Sequence, residues 1–295
     1  MSTAKYSILN MDARTLPGDF PDNLDLFFIG DVHGRAGALS ACLQALDAVE
    51  RHPGRQRNIV FFGDLIDRGP DSLGAVRLAM SAGGIDDDVR VLPGNHELLL
   101  LDVLAGHPPG EWVVNGGLKV MNEVDRGWRD LRWPDALTAL RAAIPAGFEE
   151  RLRAAPSHLQ FGDVLCVHAG LHPHMPPDEH LERARPHRHN DQHWATIRSP
   201  FLNWQGGWNW DGEHYGWGDT VVVHGHTPAV RMSLLTDPDG LQPCDGIDTH
   251  RTLCLDAGAT TRDQIAWAQI WSEGSQAMVQ VHAATMVPEA WCYDV

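Results

Sequence analysis

Apolar residues in the first third of the chain come in short continuous runs, each closed by a glycine. The run at 24–29 leads into Gly30-Asp31, the run at 58–62 into Gly63-Asp64, and the run at 89–92 into Pro93-Gly94-Asn95. Runs of this length without polar alternation predict strands buried on both faces. Between them the spacing becomes helical. Leu39, Leu43, Leu46 and Val49 recur on one side of 37–49, 71–81 opens on Pro70-Asp71, and 97–104 is helical again. The order βαβαβ predicts a sheet with crossover helices.

The pattern then loosens. Residues 106–160 read as helical and loop-rich. Further strands are predicted at 164–167, 220–223, 252–255, 265–271 and 277–282. They lie close together with few helices between, which predicts a second, more antiparallel sheet. Two segments stand apart in composition: 172–193 is rich in His, Pro and Arg, and 204–217 in Trp and Gly. There is no internal repeat and no convincing linker. The expectation is one α/β domain over 1–295, with helical or loop insertions around 106–160 and 172–217.

Composition narrows the function. Of the 295 residues 43% are hydrophobic, enough for a sizeable core, and the formal net charge is −16. That charge argues against nucleic acid as a partner, since duplex binding needs a basic face. It leaves phosphate ligands open, because bound metals and a few arginines can reverse the local field. The five cysteines form no CxxC pair, which points to a reducing cytoplasm and away from a disulfide framework or a thiolate zinc site. No run approaches the roughly 18 apolar residues of a membrane span, and MSTAKYSILN has no signal-peptide core.

The glycine-closed strand ends carry the chemistry. Gly30-Asp31-Val32-His33-Gly34, Gly63-Asp64 and Gly94-Asn95-His96-Glu97 are joined by Val167-His168-Ala169-Gly170 and Val223-His224-Gly225-His226-Thr227. Open α/β sheets place their sites at strand C-terminal edges. Five such ends deliver Asp, His or Asn to what one edge could gather. Any single one is weak, since a strand-end Asp is often only a helix cap. Walker and GxGxxG patterns are absent. The donors are oxygen and imidazole without thiolate, which suits two divalent ions in a catalytic site, Mn²⁺ first, with Fe or Zn²⁺ as alternatives.

These five motifs, with Gly63-Asp64-Leu65-Ile66-Asp67-Arg68-Gly69 in full, resemble the signature of the phosphoprotein phosphatases within the calcineurin-like metallophosphoesterases. The resemblance implies an αββα fold of two mixed β-sheets flanked by helices. It implies one metal on Asp31, His33 and Asp64 and another on Asp64, Asn95, His168 and His226. It makes His96 the general acid, Asp67 its orienting partner and Arg68 a phosphate ligand. Trp112, Asn115, Gly116 and Gly117 resemble a W-x-x-N-G-G segment of bacterial members. The stretch 197–202 resembles their W-I-R-x-x-F-L segment, with the Trp displaced to Trp194, and makes Arg198 a second phosphate ligand. Asp256-Ala257-Gly258 reads as a structural strand end. His224, alternating with His226, is expected to point away from the metals. His172, His174, His180, His187, His189 and His193 are expected in a solvated loop.

The activity so implied is hydrolysis of phosphoproteins or small phosphoesters, with a water bridging two metals attacking phosphorus directly and no phosphoenzyme. Three alternatives stay open. A dinucleoside tetraphosphate hydrolase commonly lacks the Asp of Asp-Arg-Gly, so Asp67 counts against it. A cyclic-nucleotide phosphodiesterase carries GHxH, whereas Pro228 stands at the second His position here. A catalytically inactive phosphate-binding module is expected to have lost ligands, and none is missing.

Overall fold

The computed structural model describes residues 5–183, 192–203, 217, 219–228 and 245–287, with Asp245 and Thr249 as backbone only. In chain order the strands are β1 (Tyr6–Asn10), β2 (Arg14–Leu16), β3 (Leu24–Ile29), β4 (Gln56–Phe61), β5 (Asp88–Val91), β6 (His158–Phe161), β7 (Val164–Val167), β8 (Val221–His224), β9 (Thr252–Cys254), β10 (Gln264–Glu273) and β11 (Gln276–Met286). The helices are α1 (Ala36–Asp47), α2 (Ser72–Met80), α3 (Asn95–Leu104), α4 (Gly110–Trp112), which runs on through a π-helical turn at Val113–Gly117, α5 (Leu118–Val124), α6 (Trp133–Ala143), α7 (Phe148–Ala154), α8 (Pro177–Leu181), α9 (Ser199–Leu202) and α10 (Asp245–His250).

The larger sheet runs β1-β11-β10-β3-β4-β5, with β2 also on β11. Its β3, β4 and β5 are parallel, as crossover helices require. Alternate residues of these strands feed two different cores. Phe27, Ile29, Ile59 and Phe61 face α1, α2, α3 and the helices of the 106–160 region. Leu26, Phe28, Val60 and Phe62 face the second sheet, through Val164, Cys166, Val221 and Val223. The far side of that sheet, Leu165, Val167 and Val222, is covered by Ala195, Ile197, Phe201 and Trp217. The layers are therefore helix, sheet, sheet, helix, and both strand faces are buried, which is why the sequence shows runs and not alternation.

The second sheet corrects one expectation. It is β6-β7-β8-β9, with only β6 and β7 antiparallel; β7, β8 and β9 run parallel. The closing hairpin, β10 with β11, belongs to the larger sheet, where β10 pairs antiparallel to β3 with Trp267 opposite Ile29. Close spacing of two strands signals a hairpin but not the edge it joins. β10 is buried almost throughout, and a strand buried on both faces needs an interior position.

The two sheets meet where the metal-competent residues lie. A Cβ on Gly30 would overlap the Leu255 carbonyl at the end of β9, so only glycine lets the ends of β3 and β9 close to this separation. Among the described residues no helix is long and apolar enough to cross a membrane.

Candidate metal centre

Strand ends from both sheets bring the candidate ligands together. Asp31, His33, Asp64, His96, His168 and His226 are all buried. Asp64 lies at the middle. Its Oδ2 is 3.6 Å from His33 Nε2 and 3.9 Å from His96 Nε2, and its Oδ1 is 3.5 Å from His168 Nε2. Two three-residue groups share this carboxylate, His33-Asp64-His96 and Asp64-His168-His226, with ligand atoms within 4.8 Å of one another in each group. Asn95 Oδ1 is 3.3 Å from His168 Nε2. Asp31 lies outside both groups; its two oxygens accept the His226 backbone N–H at 3.1 and 3.0 Å.

The chemistry of these donors fits divalent ions. His33 Nδ1 donates to the Ile66 carbonyl at 3.1 Å, and His168 Nδ1 to the Phe62 carbonyl at 2.6 Å. These bonds place a proton on each Nδ1 and turn each Nε2 toward carboxylate or amide oxygen, the orientation in which imidazoles hold a cation. Both ring nitrogens of His226 are buried without a hydrogen-bond partner. Burial and the charge of Asp256 push the Asp31 carboxyl well above the usual carboxylate range. Burial and the Asp64 charge likewise raise Glu97 to about 7. Burial opposes charge on His168, but the carboxylates of Asp64 and Asp31 outweigh it and raise its pKa to about 10, so a proton stands where a cation can take its place.

The backbone is bent to make this edge. His33, Asp64, Asp67, Arg68 and His226 all have positive φ, between 44° and 71°. Arg251 is the one other non-glycine residue of this kind among those described. Such conformations cost on the order of 1–3 kcal/mol each and gather where function over-determines the geometry. Glu97 supports the Asp64 turn: one oxygen accepts from the N–H groups of Asp64 (2.6 Å) and Gly94 (3.0 Å), the other from Leu65 N–H (2.8 Å).

Beside the ligands lies a proton-handling pair. His96 Nδ1 is 2.6 Å from Asp67 Oδ2, and both residues are buried. Burial opposes charge on His96, but the Asp64 and Asp67 carboxylates outweigh it and raise its pKa. Burial raises the Asp67 pKa, against the hydrogen bonds from His96 and Trp112. The exposed Arg68 is tied by its Nε to the Asn115 carbonyl at 3.1 Å, and its charge acts on both His33 and His96. Arg198 is exposed, and its charge lowers the pKa of His226 after burial and His168.

A family model for the calcineurin-like phosphoesterases matches residues 24–260. This chain belongs to that family. The match runs from the first residue of β3 past Asp256, so it takes in every ligand candidate of this phosphoesterase-family chain. Divalent metal ions are the family's cofactors, and the two clusters around Asp64 are where this member can hold them. Curated relatives divide between two activities. A symmetrical bis(5'-nucleosyl)-tetraphosphatase of Cronobacter sakazakii is 46% identical over 28% of this chain and 27% of its own length. An asymmetrical bis(5'-nucleosyl)-tetraphosphatase of Bacillus velezensis is 31% identical over 48% of the chain and 55% of its own length. Serine/threonine-protein phosphatase 1 of Salmonella typhimurium is 36% identical over 31% of the chain and 38% of its own length. The chain thus spans between about a quarter and about half of these relatives.

Some site features escaped the motif reading. Glu97 and Trp112 bond to site residues across 33 and 45 positions of sequence, contacts that no local pattern encodes. Asp256 caps the Gly258 N–H at 2.8 Å, as a strand end does, but it is also buried and acts electrostatically on Asp31. The solvated histidine loop needs correction. His180 and His193 are buried, His180 with Nε2 on the Gln192 carbonyl at 2.8 Å. His180 lies on α8, where it is buried together with Leu181. His172 is half-buried and His174 exposed, while His187 and His189 lie outside the described residues, as does 204–216 of the Trp- and Gly-rich segment. His224 joins neither ligand group and packs edge-on against Phe201.

Proposed function

We propose that this chain is a two-metal phosphomonoesterase that hydrolyses phosphoproteins, phosphoserine and phosphothreonine foremost, within one catalytic domain. One ion is held by Asp31, His33 and Asp64, the other by Asp64, Asn95, His168 and His226. When bound, such ions supply positive charge to the phosphoryl oxygens and lower the pKa of the attacking water. Manganese suits the oxygen and imidazole donors, with iron and zinc as the other fits. Arg68 and Arg198 pair with phosphoryl oxygens, a task for which the guanidinium fork is shaped. His96 protonates the leaving oxygen, and Asp67 holds its Nδ1–H so that Nε2 presents the proton. The buried thiols of Cys42, Cys166 and Cys254 suit a reducing cytoplasm.

The observation that carries the substrate choice is the His96–Asp67 bond of 2.6 Å. A serine or threonine alkoxide is a poor leaving group and needs a positioned acid; a nucleotide phosphate is stabler and needs one less. An inactive phosphate-binding module needs no such pair. The dinucleotide reading draws on the two tetraphosphatase relatives. The two are separated by kcat/KM on phosphoserine, phosphothreonine and phosphotyrosine peptides beside diadenosine tetraphosphate at one Mn²⁺ concentration. The phosphoserine or phosphothreonine peptide should lead. A dinucleotide value ten or more times the best peptide, about 1.4 kcal/mol of transition-state preference, would transfer the assignment.

A further inference from the structure

We infer that Trp112 is a positioning residue for the acid pair, acting on His96 through Asp67; the inference rests on the proposed role of His96. The indole is 1% exposed, and its Nε1–H is shared between Asp67 Oδ1 at 3.1 Å and Oδ2 at 3.0 Å. Oδ2 also accepts from His96. Asp67 is wholly buried, at a φ of 71°, so neither solvent nor a relaxed backbone holds its carboxylate. The indole supplies the second donor. A buried carboxylate oxygen left without one costs about 1–3 kcal/mol or more, which would be relieved by rotating Asp67 away from His96 or protonating it.

An indole has properties this place requires. It donates but does not accept, and it does not titrate, so it competes neither for the His96 proton nor for the Asp67 charge. A cationic donor would fix Asp67 equally well but would repel a protonated His96. The W-x-x-N-G-G segment is built around the same task. A Cβ on Gly117 would overlap the indole ring. Gly116, at a φ of 130°, passes over Arg68 where a Cβ would lie 2.7 Å from Arg68 Cγ. The Asn115 carbonyl takes Arg68 Nε. The chain kinks at Gly116, whose φ of 130° and ψ of −10° leave helical geometry just after Trp112 and Asn115. One segment from the 106–160 region therefore templates both Asp67 and Arg68.

The test is kcat on a phosphoserine peptide and on p-nitrophenyl phosphate for Trp112→Phe, Asp67→Asn and the double variant, with His96→Asn alongside. Trp112→Phe should lower peptide turnover by about tenfold, part of the 10²–10⁴ that general acid catalysis supplies. Its turnover of p-nitrophenyl phosphate and its Mn²⁺ activation midpoint should stay within about twofold. In the Asp67→Asn background it should have no further effect, because both changes act through one bond. If Trp112→Phe does not fold, benzothienylalanine placed at 112 replaces the N–H by sulfur in a ring of the same size, and the same loss is expected. Equal losses on both substrates, or additive losses in the double variant, would overturn the inference while leaving His96 in place. Were His96→Asn itself to slow both substrates equally, the acid assignment would fall and this inference with it.

Discussion

Chelation should abolish phosphoester hydrolysis, and added Mn²⁺ should restore it. Asp64→Asn should be the most damaging single change among the ligands. Asp64 is the one residue common to both ligand groups, with one oxygen toward His33 and the other toward His168. Asparagine keeps the shape but offers one oxygen and no charge, so it can serve one group at most. Asp31 lies outside both groups, with its oxygens on the His226 N–H, and Asp31→Asn touches one ion only. Losing a partner that merely orients a ligand typically costs about 10–100-fold in metal affinity or activity. Asp64→Asn should exceed that range at saturating Mn²⁺, and Asp31→Asn should retain the larger metal content by elemental analysis. Full turnover by chelated, metal-free protein would refute the metal-dependent reading.

His96→Asn should slow a phosphoserine peptide by about 10²–10⁴-fold, the usual worth of a general acid. p-Nitrophenyl phosphate should slow far less, because its leaving group is stable as an anion. Among the described imidazoles of the cluster, His96 is the one that bonds a carboxylate other than the shared one, Asp67 at 2.6 Å. His33 and His168 use the corresponding nitrogen on backbone carbonyls, as metal ligands do. Asp67→Asn should give the same leaving-group pattern more weakly. Equal losses on both substrates with metal content intact would make His96 a ligand or a structural residue instead.

The layered fold was readable from the chain because its central strands are buried on both faces. Continuous runs such as LDLFFI at β3 record that directly, and the glycine after each run marks where the strand ends at the site. Convergence of Asp31, His33, Asp64, Asn95, His168 and His226 on one edge follows from the rule that sites lie at strand C-termini. The chain kept silent on what depends on distant partners. β1 and β2 are short and only partly buried, so YSILN and RTL carry no strong period, and their existence depends on pairing with β11. The sheet joined by the final hairpin was set by the free edge of β3, which no local pattern reports. The burial of His180 and the contact of Trp112 with Asp67 are likewise decided by packing between segments far apart in sequence.

Whether Asp64 would serve two metal ions in a single site can be read from electron paramagnetic resonance of the protein loaded with two equivalents of Mn²⁺. An exchange-coupled dimanganese signal that disappears in Asp64→Asn is expected. The six-line spectrum of isolated Mn²⁺ in the loaded protein, or a coupled signal unchanged in Asp64→Asn, would rule out a shared Asp64.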